Sequence, residues 1–195
     1  MLKLKKKYVP LILGGFILAL LSIMPIRLAI ASYQSPHPQA IFTLGGGPER
    51  EEFTAEFAQK YPNLDIWVSS GIPPEQALAI FKSADISHHR LHLDYLAVDT
   101  VTNFTSLVDD FKQQEIQHIY LITSADHMPR AKAIATLVLG SQGIIFTPML
   151  IPSSKPRESI VRIIRDSGRS LLWIVSGRTG ASLKPRFREP FYAAR

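Results

Sequence analysis

A chain of 195 residues with 46% hydrophobic content is long enough to bury one core and too short for two comfortable domains. It contains no cysteine, which excludes disulfides, thiolate metal sites and a cysteine nucleophile. The net charge of +6 argues against a nucleic-acid partner once its distribution is read: five of the 22 basic residues fall in residues 1–31 with no acid, leaving 17 basic against 16 acidic elsewhere.

Those five are Lys3, Lys5, Lys6, Lys7 and Arg27. Between them lies an uncharged, mostly apolar run from Tyr8 to Ile26, about 19 residues, near the length of a bilayer-spanning helix. A secretory signal peptide has the same polarity, and Ala29-Ile30-Ala31 would serve as its cleavage motif. The apolar stretch exceeds the ~7–15 residues usual for such peptides, however. Residues 1–31 are therefore expected to form an uncleaved transmembrane anchor, with a cleaved signal segment as the alternative. A basic flank stays in the cytoplasm. The protein is accordingly expected at the plasma (inner) membrane, single-pass, with its C-terminal domain on the extracytoplasmic side. Residues 32–38, SYQSPHP, are polar and proline-rich, which suits a linker.

Beyond the linker, short apolar runs alternate with helical patterns. AIFTL (40–44) predicts a first strand, followed by GGGPER and a helix from about Pro48 to Lys60. DIWVS (65–69) predicts a second strand, and the helix after it carries Pro74 in its first turn and an apolar stripe of Ala77, Ile80 and Phe81. A short strand is expected around RLHL (90–93). From Thr100 the spacing of Phe104, Leu107, Val108 and Phe111 predicts one amphipathic helix. HIYLIT (118–123) is apolar on consecutive positions, as expected of a central parallel strand. The helix after it repeats Ala131, Ile134, Ala135, Val138 and Leu139 at helical spacing; GIIFTP (143–148) predicts another strand, and a last helix runs from about Ser159 to near SGRTG. This alternation predicts a three-layer Rossmann-like α/β sandwich with a mainly parallel sheet over residues 39–180, preceded by the transmembrane helix and followed by a basic tail at 181–195.

Open sheets of this kind bind ligands at the carboxyl ends of their strands. Three such ends are small or polar. Gly45, Gly46 and Gly47 follow the first strand, Ser69, Ser70 and Gly71 the second, and Thr123, Ser124, Ala125, Asp126 and His127 the strand at 118–123. Together they make a cradle of backbone N–H groups for an anion. Neither a complete G-x-G-x-x-G nor a P-loop is present, and a bare tight turn explains the glycines equally well. TSADHMPRA (123–131) is more informative. Asp126 or Ser124 suits an N-cap, and Pro129 a first turn. Arg130 does not fit: a cation in the first helical turn opposes the macrodipole by about 0.3–1 kcal/mol. A bound anion would reverse that penalty, and so would a carboxylate of the chain itself. His127 and Arg130, three apart, share a helix face and can grip or protonate one phosphate or carboxylate.

The segments LGGG (44–47), SSG (69–71), DYLAVDTVTN (94–103) and TSADHMPRA (123–131) resemble the SanA/ElyC/YdcF family of bacterial envelope proteins, over roughly residues 39–180. Asp94, Thr100, Asn103, Thr123, Ser124, His127, Arg130 and Ala131 match its pattern, while Ala97, Asp99 and Thr102 stand where the family has serine, asparagine and glutamate. The resemblance implies a Rossmann-like fold, a membrane-linked location and a role in envelope or peptidoglycan integrity. One cytosolic-type member of the family binds S-adenosylmethionine.

The expected function is therefore a membrane-anchored envelope protein that binds a phosphorylated or lipid-linked cell-wall intermediate and hydrolyses or transfers a group on it. In this reading His127 is the general acid or base and Asp99 or Asp126 orients it. Gly45, Gly46, Gly47, Ser70, Gly71, Thr100, Asn103, Thr123, Ser124 and Arg130 bind the ligand. The alternatives are a non-catalytic module that senses or delivers such a ligand, and, for a cytosolic domain, an S-adenosylmethionine-binding protein. No cofactor is assigned. His88, His89 and His92 lack the H-E-x-x-H spacing or acid pair of a zinc site, so no metal site is assigned.

Overall fold

The structure, a computed structural model, describes residues 9–181, with side chains from residue 22 onward. The N-terminal lysines and the tail from residue 182 lie outside the described residues. Helix α1 (Val9–Gln34) runs through the stretch expected to cross a membrane, but its side chains up to residue 21 also lie outside them. Among the described residues, no helix is long and apolar enough to span a bilayer.

The domain is built on five parallel strands: β1 (Ala40–Leu44), β2 (Asp65–Ser69), β3 (Leu91–Asp94), β4 (His118–Ser124) and β5 (Ile145–Ile151). Their order is β3-β2-β1-β4-β5. Strand alternation divides the core between two faces. Ile41, Ile66, Val68 and Ile122 face α2 (Pro48–Gln59) and α3 (Pro74–Ser83). Phe42, Leu44, Trp67 and Leu121 face α4 (Thr100–Thr105), α5 (Val108–Gln113) and α6 (Met128–Ser141). At the centre of that second face, Phe42 meets the rings of Phe104 and Phe111 edge-on, both at 5.5 Å. Each aromatic ring so buried contributes on the order of 1.5–3 kcal/mol. The last helix, α7 (Ile160–Ser176), packs on the outside of α6 and reaches α4.

This is the Rossmann-like architecture expected from the alternating pattern. The chain winds outward from β1 through β2 to β3, then crosses back to place β4 on the other side of β1. The winding direction reverses between β1 and β4. Loops leaving these two neighbouring strands on opposite sheet faces must part there, and the crevice they leave is where such sheets take ligands.

Several boundaries differ from the sequence expectations. The helix expected from Thr100 onward is two short ones, because Ser106 turns its hydroxyl to the Asp94 carboxylate at 2.6 Å between them. The four apolar residues still face the core. Strand β3 begins one residue late, after a 3-10 turn at His88–Arg90. Strand β5 runs later than expected, from Ile145 to Ile151, because it pairs with β4 along its full length.

Residues 32–38 are less of a linker than their composition implied. Helix α1 continues to Gln34, and Ser35 is buried. His118 fastens it: its Nδ1 lies 2.9 Å from the Ser35 carbonyl and its Nε2 lies 2.8 Å from the Thr147 hydroxyl. A carbonyl can only accept, so Nδ1 carries a proton and donates it to Ser35. One imidazole thus joins α1, β4 and β5. Further back, Met24 and Leu28 of α1 lie against Gly140 of α6, where an added Cβ would come within 2.6 Å of the Met24 methyl.

Candidate active site

The three small turns come together at one edge of the sheet. In register, Leu44 pairs with Ser69 across β1 and β2, and Thr43 with Ile122 across β1 and β4. The glycines after β1 have separate jobs. A Cβ on Gly45 would sit 2.1 Å from the Ser70 carbonyl oxygen, so this glycine lets the first two turns close on one another. Gly46 takes a φ of 144°, a conformation that favours glycine. Gly47 caps α2 ahead of Pro48. Gly71 leaves room for the Glu51 carboxylate, whose Oε1 would lie 2.2 Å from an added Cβ.

Between these turns lies a cation not singled out in the sequence. Arg50, in the first turn of α2, donates from Nη1 to the carbonyls of Leu44 (2.9 Å) and Gly45 (2.7 Å), and from Nη2 to the Ser124 hydroxyl at 2.9 Å. It therefore bridges the ends of β1 and β4 at the point where the winding reverses. It takes part in none of the ion pairs among the described residues. Burial lowers its pKa, opposed at longer range by Asp126, Glu49 and Glu158. Its hydrogen bonds go to neutral oxygens alone, so among the described residues no carboxylate is in contact with this half-buried guanidinium. Among the described residues, two polar atoms at the end of β4 are also without hydrogen-bond partners: the Thr123 hydroxyl and Oδ1 of Asp126.

Arg130 stands in contrast. It is 8% exposed and fully engaged. Its Nε donates to Asp166 at 2.7 Å, its Nη2 makes a closer contact with the same oxygen, and its Nη1 meets Glu158 at 3.1 Å. The compensation for a cation in the first turn of α6 comes from the chain itself. Asp166, with no exposure, also receives Arg165 at 2.8 Å and Arg169 at 3.5 Å. Burial pushes its carboxyl pKa up, but Arg165 and Arg130 outweigh that and hold it below the ordinary range.

His127 is the N-cap residue of α6 without a side-chain cap bond, so neither Asp126 nor Ser124 takes the capping place expected of it. Its Nδ1 lies 3.0 Å from Glu158 Oε1. Its Nε2 has no hydrogen-bond partner among the described residues and is not among the occluded atoms. With Nδ1–H donated to a carboxylate, Nε2 is left as a lone-pair base. Burial lowers the imidazole pKa most; Glu158 raises it, and Arg50 and Arg130 lower it further. The net shift is downward, which favours the neutral ring.

The carboxylate that orients His127 is thus Glu158, not Asp126 or Asp99. Asp126 is half-buried; burial raises its pKa, but the Ser153 and Ser124 hydroxyls nearby bring it below the ordinary range, although neither makes a well-formed hydrogen bond to it. Asp99 caps α4, accepting from the Thr102 amide at 3.1 Å, and pairs through Oδ2 with Arg169 at 2.8 Å. It reaches the His127 corner only along the chain Arg169, Asp166, Arg130, Glu158. Asn103 accepts from the Ser69 hydroxyl at 3.3 Å, and Ser70 donates to the Ala97 carbonyl at 2.8 Å, so both brace the loop after β3. Thr100 is buried at the start of α4. The fold therefore gathers Gly45, Gly46, Gly47, Thr123, Ser124, Asp126 and His127 around the β1–β4 crevice with Arg50 and Glu158. Ser70, Gly71, Thr100, Asn103 and Asp99 support it from the β2–β3 side.

Of the three histidines near β3, His92 stacks on Trp67 with ring centroids 4.1 Å apart and contacts Asp65 at 3.2 Å. Comparison with known proteins adds no relative: no family model matches the chain, nor does any curated protein or solved structure.

Proposed function

We propose that the β1–β4 crevice binds a phosphate or other compact anion, and that His127 acts on it as general base or acid. The observation that carries this reading is Arg50, a half-buried cation without a carboxylate partner, placed between a glycine turn and Ser124 at the switch point. A phosphoryl group there would meet the guanidinium and, of the first turn of α2, the Glu49 amide, because Pro48 has no N–H and the Arg50 amide donates to the Gly47 carbonyl at 3.1 Å. The His127–Glu158 pair supplies the chemistry. Neutral Nε2 takes a proton from water or a hydroxyl as it attacks, and returns it to the leaving oxygen, while Glu158 steadies the imidazolium between the two steps.

In keeping with the resemblance to the SanA/ElyC/YdcF family, the ligand is proposed to be a phosphorylated or lipid-linked cell-wall intermediate. The protein is proposed to act at the extracytoplasmic side of the plasma membrane, held there by residues 1–31. Supporting this are the lysines ahead of an uncharged run of membrane-spanning length and the polarity rule for basic flanks. A binding module without turnover would use the same crevice.

Calorimetry with inorganic phosphate, followed by turnover assays on a polyprenyl-phosphate-linked sugar, tests the proposal. Wild-type chain binds phosphate, and Arg50→Gln loses about tenfold to a hundredfold in affinity, as expected for one charge-assisted donor set. His127→Ala keeps the affinity and loses about 10²- to 10⁴-fold in rate. Phosphate binding indifferent to Arg50→Gln overturns the site. Binding without any turnover by wild type establishes the non-catalytic module instead.

A further inference from the structure

We propose that the outer face of α7 docks on a bilayer rich in anionic lipid, with the helix lying in the plane of the surface. This does not depend on what the β1–β4 crevice binds. Helix α7 buries Asp166 and Ser170 against α6 and turns a continuous apolar face the other way. At about 100° per residue, Ile160, Ile164, Leu171 and Val175 line up along that face, with Val161 and Leu172 beside them. All six are exposed, Val161 at 70% and Val175 at 88%. Aliphatic residues in one row along 17 helical residues are not scattered surface leucines.

The charge around this face identifies its occupant. Between residues 152 and 181 the exposed charged side chains are Lys155, Arg157, Arg162, Arg165 and Arg178, all positive. The acids of the stretch, Glu158 and Asp166, are turned inward onto His127 and Arg130. A helix with an apolar face, basic flanks and no outward acid matches the boundary between acyl chains and anionic headgroups. A second copy of the chain would meet the same five positive charges across the contact. Docking by α7 would bring the Glu158 end of the helix, and with it His127, close to the headgroup layer.

The absence of cysteine gives a direct test. The single substitutions Ile164→Cys and Val175→Cys, both at exposed positions, and Glu56→Cys on α2 as reference, accept an environment-sensitive fluorophore in the full chain. The labelled chains are reconstituted with phosphatidylcholine, with and without phosphatidylglycerol, and quenched by nitroxide-labelled lipid. Quenching at positions 164 and 175 is expected about threefold above position 56 in the anionic bilayer. It should fall by about half without phosphatidylglycerol or in the Arg157→Gln/Arg162→Gln chain. Equal quenching at the three positions overturns the proposal, as does quenching indifferent to lipid charge. Blue-shifted emission without quenching also overturns it. Growth of that shift with protein concentration then assigns the face to a second copy, and its loss on ending the chain after Ala181 assigns it to residues 182–195. Phosphate affinity of the same labelled chains is followed in parallel, so that failure of either reading shows separately.

Discussion

Arg50 and Arg130 occupy equivalent places in the two halves of the fold, each in the first turn of the helix that leaves a central strand, β1 and β4 respectively. Each suffers the same unfavourable macrodipole. Their solutions differ. Arg130 is neutralised by Glu158 and Asp166 from α7, whereas Arg50 is held by two carbonyls and a hydroxyl. Where the charge balance closes inside the chain, the cation holds the fold together. Where it stays open beside a crevice, an external anion has something to gain.

The sharpest way to break this contrast is at Asp166. Replacing it with alanine leaves Arg130 buried with one partner and should cost about 3–5 kcal/mol of stability in denaturant unfolding. Arg130→Ala is expected to behave similarly, with its loss appearing in folding rather than in phosphate affinity. A stable Arg130→Ala chain that no longer binds phosphate would reverse the roles assigned to the two arginines. Arg50→Gln is expected to do the opposite, changing stability by less than about 1 kcal/mol while affinity drops.

A smaller effect concerns pH. Because His127 has a lowered pKa when folded, its contribution to stability is complete above the ordinary histidine value and declines as pH falls below about 6.5. Glu158 raises that pKa, so Glu158→Gln should move the His127 titration followed by NMR, and the acidic limb of any rate profile, to lower pH. An unmoved titration would separate Glu158 from the imidazole. The smallest expected change is at Glu51. This carboxyl is fully buried, accepts from the Ile72 amide at 2.7 Å through Oε1, and has no partner for Oε2 among the described residues. Burial raises its pKa, against the Ile72 hydrogen bond. Its stabilising contribution is thus greatest at acid pH and is lost as pH rises past the ordinary carboxyl value. Glu51→Gln keeps the acceptor without the charge and should raise the melting temperature at pH 7, by about 1 kcal/mol of stability.

The sheet was legible because its signal is local. HIYLIT reads as a covered strand from consecutive apolar residues, and the stripe from Ala131 to Leu139 reads as a helix face from spacing alone. The site's turns followed from placing Gly45, Ser70 and Thr123 at the carboxyl ends of predicted parallel strands. The partners were not legible, because ion pairs join residues distant in sequence: Glu158 is 31 positions from His127, and Asp166 is 36 from Arg130. A signal was nonetheless present. Glu158 and Asp166 are isolated acids in a basic stretch, and the macrodipole argument applied to Arg130 applies equally to Arg50, three residues after Gly47. Asp99 shows a second difficulty: a side chain that caps its own helix and pairs with Arg169, 70 positions on, looks in sequence like one free to do chemistry.

The imidazole of His118 has a mechanical implication. By pinning the end of α1 to two strands at once, it makes that helix a stiff arm rather than a leash. Rotation of the His127 corner relative to the arm would require breaking a buried contact, so its reach is fixed by the rise of about 1.5 Å per helical residue and not by the length of a floppy tether.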